Sequence, residues 1–247
     1  MAVDVKETVR ELVKKAVEAY MSEQAKDTLT KSVKKKPSIT VLLSYQSTDP
    51  NSILKAVTEM KSSFQVRIAA SKEWEELLEG EGEVLPLEGA VYQELEALWT
   101  STDLLILPVA SFQLVAKLAL MLDDDRAAKT AIQFQLLGKP VVIANNEVEL
   151  GVYQQILAPH SVQEKLQTYM RTTQKDQVKW VPLNQLVRIA KEQHKLYQEK
   201  QPLVLAKHME RASRENVKAI KVPKNSKITP VAKDMARELK IQIQKET

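Results

Sequence analysis

The stretch Asp103-Leu-Leu-Ile-Leu-Pro-Val-Ala-Ser-Phe-Gln-Leu-Val-Ala-Lys117-Leu-Ala119 decides how the rest of the chain is read. An apolar run from Leu104 to Leu107 stops at Pro108, and small residues Ala110 and Ser111 open a helical stretch over residues 111–122. The same alternation runs outward in both directions. Upstream, Ile39-Thr-Val-Leu-Leu-Ser44 is followed by a polar turn at residues 46–50 and a helix through Ile53, Leu54, Val57 and Met60. Gln65-Val-Arg-Ile-Ala69 then precedes a Glu-rich helix over residues 71–79, and downstream Val141-Val-Ile-Ala144 supplies a fourth strand. Near-continuous apolar strands separated by helices predict a parallel sheet covered on both faces, a three-layer α/β fold.

Ligands of such sheets sit beyond the carboxyl ends of the strands, where loops and helix starts offer free N–H groups. Short hydroxyls and amides fall at those positions: Ser44, Ser47 and Thr48 after the first strand, Ser71 after the second, Ala110 and Ser111 after the third, Asn145 and Asn146 after the fourth. They predict a rim able to take a phosphate and a ring, although Ser and Asn are also ordinary caps and turn formers. No G-x-G-x-x-G or Walker A string is present, and none of the five glycines lies in the loop after the first strand, which disfavours a dinucleotide or nucleoside triphosphate.

The run from Asp103, with Ala116-Lys117-Leu118-Ala119, the paired Asp124-Asp125 and Gly138-Lys-Pro-Val-Val-Ile-Ala144, resembles the homo-oligomeric flavin-containing cysteine decarboxylase family, collinearly over residues 39–146. The resemblance implies a flavodoxin-like domain with FMN held noncovalently between the subunits of a trimer or a multiple of it. Carried over by position, it places Ser44 and Ser47 in the first phosphate loop, Ser71 in the second, Ala110 and Ser111 in the third, and Asp124 near the flavin ring. Gln113 stands where the family has Asn, Leu114 where it has Thr, and Val109 where it has Pro; Asn145-Asn-Glu-Val148 replaces a Pro-Ala-Met-Asn tetrapeptide. Tyr45 and Gln46 replace small residues of the first loop. The family's histidine before Asp103 is missing, since the histidines are His160, His194 and His208. The resemblance therefore implies FMN without cysteine decarboxylation, in a redox or accessory role; the competing expectation is a cofactor-free interaction protein that keeps the fold.

The 247 residues carry 36 Lys+Arg against 32 Asp+Glu, a net charge of +4, and no cysteine, which excludes disulfides and thiolate chemistry. An apolar share of 44% without a run of roughly 18 apolar residues predicts a cytoplasmic protein with no membrane span. The mixed charge gives no reason to expect nucleic acid. The scattered histidines predict no metal site, Asp123-Asp124-Asp125 reads as a helix N-terminal turn, and Lys218, Lys221, Lys224 and Lys227 read as a solvated face. Trp74, Trp99 and Trp180 read as packing residues, Trp99 being the one expected nearest a flavin.

Residues 1–36 read as an arm. Val5, Val9, Leu12, Val13, Ala16, Val17 and Tyr20 form an apolar stripe at helical spacing, followed by a polar, basic linker to Pro37. That helix either covers the main domain or a sister subunit, or docks in trans on a partner; lacking Trp and Phe, it is not built for a membrane surface. The main domain is expected over residues 37–175 and a small α+β module over residues 176–247. In the module, Lys227-Ile-Thr-Pro-Val-Ala-Lys-Asp234 with Ala236-Arg-Glu238 resembles a segment of bacterial microcompartment accessory proteins and cobalamin adenosyltransferases, with Thr229 as N-cap and Pro230 at the first helical position. Together with the arm, which resembles encapsulation peptides, this resemblance implies association with a microcompartment shell or cargo protein.

Overall fold

The computed structural model describes residues 36–78 and 84–245, so the amphipathic stripe of residues 5–20 lies outside the described residues. Six parallel strands make one sheet in the order β3-β2-β1-β4-β5-β6. They are β1 (Ser38–Leu43), β2 (Gln65–Ala70), β3 (Val84–Pro86), β4 (Leu104–Leu107), β5 (Val141–Ala144) and β6 (Val178–Val181). In β1, β4 and β5 nearly every side chain is buried, as expected of strands covered on both sides. Two of the six are absent from the sequence reading. β3 is three residues long, and β6 is an edge strand whose Val178-Lys-Trp-Val181 buries only its two ends.

Helices cover both faces. One core, built on Leu42, Leu105, Leu107 and Ile143, is sealed by α3 (Tyr92–Ser101), α4 (Phe112–Leu120), α5 (Arg126–Leu136) and α7 (His160–Lys175). The other, built on Ile39, Val41, Leu43 and Ile106, is sealed by α1 (Pro50–Ser63), the short α2 (Lys72–Glu75) and α8 (Leu186–Glu199). The chain fills the sheet outward from β1 in one direction and from β4 in the other, so the loops after these two neighbours part and leave a crevice at the sheet's C-terminal edge. At the opposite edge, Lys139 Nζ donates to the carbonyls of Trp99 at 2.6 Å and Thr100 at 3.0 Å, closing the C-terminus of α3.

The expected boundary at 175/176 cuts through sheet contacts. β6 pairs with β5 in register from Val141↔Val178, and Leu186, Val187 and Ala190 of α8, read as part of the second unit, pack on the sheet. A separate small core starts only at Val204, where β7 (Leu203–Val204), α9 (Ala206–Arg214) and β8 (Ala219–Val222) are followed by β9 (Lys227–Ile228), α10 (Pro230–Glu238) and β10 (Gln242–Lys245). These are two strand-helix-strand halves that pair β7 with β9 and β8 with β10. Each helix ends the same way, with Asn216 and Lys240 at positive φ (55° and 54°) and with 2.8 Å closures from Val217 N to Ala212 O and from Ile241 N to Ala236 O. Thr229 caps α10 by accepting from Ala232 N at 3.2 Å, with Pro230 following, as its sequence predicts. Among the described residues no helix is long and apolar enough to cross a membrane.

Candidate functional site

The crevice between the β1 and β4 loops holds a cleft of about 570 Å³. Its lining draws on five connections: Ser44 and Tyr45 after β1, Ser71 after β2, Leu87 and Glu88 after β3, Gln113 and Lys117 on α4, and Asp125, Arg126 and Ala127 at the start of α5. Three of the lining hydroxyls, Ser44 Oγ, Tyr45 Oη and Ser71 Oγ, are shielded from solvent yet have no hydrogen-bond partner. Such groups cost about 1–3 kcal/mol each when left unsatisfied, so their convergence on one cleft fits a polar ligand. Ser71 is only 8% exposed, and its hydroxyl does not cap α2.

Backbone and packing fix these groups. Ser71 N donates to Leu43 O at 2.8 Å, and Trp74 Nε1 donates to Tyr45 O at 2.8 Å, joining the loops after β1 and β2. Tyr45 packs against both cores with its hydroxyl beside Ser44 and Ser111, close enough for them to favour its ionised form, although neither completes a well-formed hydrogen bond. Burial and the Asp125 carboxylate dominate and push the Tyr45 phenol up to about 12. Because that pKa is raised above the ordinary value near 10, the neutral phenol's contribution to stability is complete below about pH 10 and lost as pH rises through the folded value. A phenolate absorbance titration of the folded protein is expected to show late-ionising tyrosine absorbance that shrinks in Tyr45→Phe, the remainder belonging to Tyr197, which burial and Asp103 also push up; an unchanged late step would contradict this environment.

The charged wall is a Lys-Asp cluster. Lys117 Nζ bonds Asp124 at 2.8 Å and Asp125 at 2.5 Å, hydrogen bonds that raise the lysine's pKa and, at Asp124, lower the carboxyl's. Asp125 also caps α5, accepting from Ala128 N at 2.7 Å, which bears out the helix-start reading of the acidic run. Arg126 donates through Nη1 to the carbonyls of Leu87 and Glu88, tying α5 to the loop after β3.

Of the residues predicted from sequence, Ser44, Ser71 and Gln113 line the cleft. Ser111 caps α4 by accepting from Leu114 N at 3.2 Å and adjoins Tyr45, Asp124 reaches the cleft through Lys117, and Ala110 is buried. Ser47 stands apart, in a second cavity behind the loop after β1, where Ser47 Oγ (2.7 Å), Thr48 N (2.9 Å) and Thr48 Oγ1 (3.0 Å) all donate to Glu147 Oε1. Trp99 packs away from the cleft, donating to Thr130 at 3.3 Å and meeting Tyr92 edge-on. His194 lies at the other edge of the sheet, 3.3 Å from Asp103 Oδ2. Among the described residues no cluster of three His, Asp or Glu could hold a metal. Arg126, Leu87 and Glu88 were not anticipated: their place depends on β3, whose three residues carry no readable period.

Beside the cleft, α4 presents Phe112 and Ala116 to an apolar groove shared with α7 and with α6 (Val152–Leu157). No residue of α6 is buried, and Tyr153 and Leu157 are 80% and 79% exposed.

No known family profile matches the chain, and no curated protein matches its sequence. Solved structures do share its fold. The apo form of Burkholderia xenovorans DmrB, described as a cubic protein cage for redox transfer, is similar at TM-score 0.51 and 15% identity, over 67% of this chain and 99% of its own. TvaF, an FMN-dependent cysteine decarboxylase from thioviridamide biosynthesis, is similar at TM-score 0.50 and 10% identity, over 64% and 98%. The chain has the flavodoxin-like α/β fold of these proteins, and likeness at such identities establishes the fold alone.

Proposed function

We propose that the chain is an FMN-binding flavoprotein with a redox or accessory role, not a cysteine decarboxylase. The carrying observation is the convergence of the unpartnered Ser44, Tyr45 and Ser71 hydroxyls on a cleft at the point where strand order reverses, the place where open α/β sheets receive ligands. TvaF, which shares the fold, is FMN-dependent. Ser44, Ser71 and Tyr45 would hydrogen-bond the flavin, with Gln113 at the rim and Arg126 supplying positive charge; bound FMN would supply one- or two-electron redox chemistry. The decarboxylase reading is set aside because α3, which precedes Asp103, carries no histidine.

Assembly from several copies belongs to the same proposal. The exposed apolar face of α6 adjoins α4, whose Gln113 and Lys117 face the cleft, so a second copy seated there would border the ligand. The terminal Lys227-to-Asp234 segment supports a place beside a bacterial microcompartment, with residues 1–36 as the docking element. A second reading, a cofactor-free scaffold, is favoured by one observation: the donors of Ser47 and Thr48, just before α1, are already taken by Glu147. Titrating flavin fluorescence with the protein separates the two, since saturable quenching supports the flavoprotein and none supports the scaffold.

A further inference from the structure

At the start of α1 the loop after the first strand offers donors with a helix N-terminus behind them, an arrangement able to receive an anion, although the helix end itself is capped by Asp49, which accepts from Ser52 N at 3.1 Å. Here those donors converge on a carboxylate of the chain itself. Glu147 reaches them from the turn after β5, whose position is fixed by buried Val148, by Asn145 N donating to Val181 O at 3.0 Å, and by Leu183 N donating to Asn146 Oδ1 at 2.9 Å. The contact joins residues a hundred positions apart and sets a formal negative charge on the donors of the loop after β1. Burial favours the neutral acid, but the hydrogen bonds from Ser47 and Thr48 outweigh it and hold the Glu147 carboxyl below its ordinary value, so it is ionised at neutral pH.

We propose that Glu147 is a specificity-determining residue, a built-in competitor for the phosphate of the flavin, which makes this chain discriminate poorly between phosphorylated and unphosphorylated flavin. The inference rests on the flavin reading for its ligand. A phosphate approaching Ser47 and Thr48 must displace Glu147 from its three donors or remain beside a like charge, and both outcomes weaken its binding. Riboflavin, held through ring and ribityl groups in the cleft, is indifferent to that contact. The Ser44, Tyr45 and Ser71 hydroxyls are thus the main anchors, and the expected phosphate role of Ser47 is silent while Glu147 is in place.

The test compares full-length wild type with Glu147→Gln, which keeps the shape and removes the charge, in titrations with FMN and with riboflavin. The variant is expected to bind FMN about tenfold more tightly (~1.4 kcal/mol) with riboflavin unchanged within about twofold. An FMN-to-riboflavin preference that is the same in both proteins overturns the proposal. Should the variant fail to fold, wild type alone decides: a preference for FMN below about tenfold (~1.4 kcal/mol) supports it, and a larger one overturns it. Thermal melts with inorganic phosphate separate this idea from the flavin reading. If neither protein binds flavin, the flavoprotein reading falls, while stabilisation by phosphate of the variant only still supports Glu147 as the competitor, and an equal or absent response in both overturns it.

Discussion

Replacing Ser71 by leucine is expected to abolish flavin retention, weakening binding by more than about 100-fold (~2.7 kcal/mol), while the melting temperature stays within a few degrees of wild type. The two halves of that expectation have separate causes. Ser71 holds the structure through its backbone, its N–H bonded to Leu43 and its carbonyl accepting from Trp74 N at 2.9 Å and Glu75 N at 3.2 Å. Its hydroxyl bonds to nothing within the protein, so folding does not depend on it. The added methylenes enter a cleft of about 570 Å³ and occupy ligand space. Ser71→Ala is the graded control: it removes an unsatisfied buried hydroxyl, leaves stability equal or slightly raised, and costs flavin about 3- to 10-fold, the worth of one hydrogen bond. Calorimetric melting beside flavin titration checks both, and a Ser71→Leu protein that folds and still binds flavin would move the site elsewhere.

Asp125→Ala carries the largest expected cost to stability, about 2–4 kcal/mol. Part is the cap on α5, for which loss of an Asp side chain costs about 1 kcal/mol. The rest arises at Lys117, whose side chain is only 10% exposed and would be left with Asp124, itself 65% exposed. Removing one partner of an enclosed ion pair costs more than the pair contributes, although solvent at the Asp125 side and the surviving Asp124 contact reduce the penalty. In a chain of this size the loss corresponds to a melting temperature lower by roughly 5–15 °C. Asp125→Asn, which can still cap α5 but has no charge for Lys117, is expected to lose about half as much. Denaturant unfolding of the three proteins checks the ordering, and an Asn variant as unstable as the Ala variant would assign the whole effect to the ion pair.

What could be read from the sequence follows from what burial does to a strand. β1, β4 and β5 appear as apolar runs because helices cover both their faces, and the run at Asp103 could be placed among them at once; β2 shows such a run only at its end, Ile68 to Ala70. β6 escaped because an edge strand needs no such run: Lys179 is exposed, and Trp180 is only partly buried, donating to Thr173 at 2.8 Å. The α8 stripe was legible as a helix, but nothing local told which core Leu186 and Ala190 would join. At the site, Gln113 was reached only through the family resemblance, while the rule that ligand groups follow strands found Ser44 and Ser71. It could not separate Ser44, which faces the cleft, from Ser47, which faces Glu147, because that depends on a contact across the sheet. Arg126 was hidden for a similar reason, since its partners Leu87 and Glu88 follow a strand too short to recognise.

The central claim is that the cleft between the β1 and β4 loops holds a flavin. Its most direct test is the visible absorption spectrum of the full-length protein, loaded with FMN and passed through gel filtration to remove free flavin. The account predicts flavin bands that elute with the protein, at a mass above that of one chain, and that are lost in Ser71→Leu. A well-folded wild-type protein that elutes colourless would contradict it and leave the cofactor-free scaffold in its place.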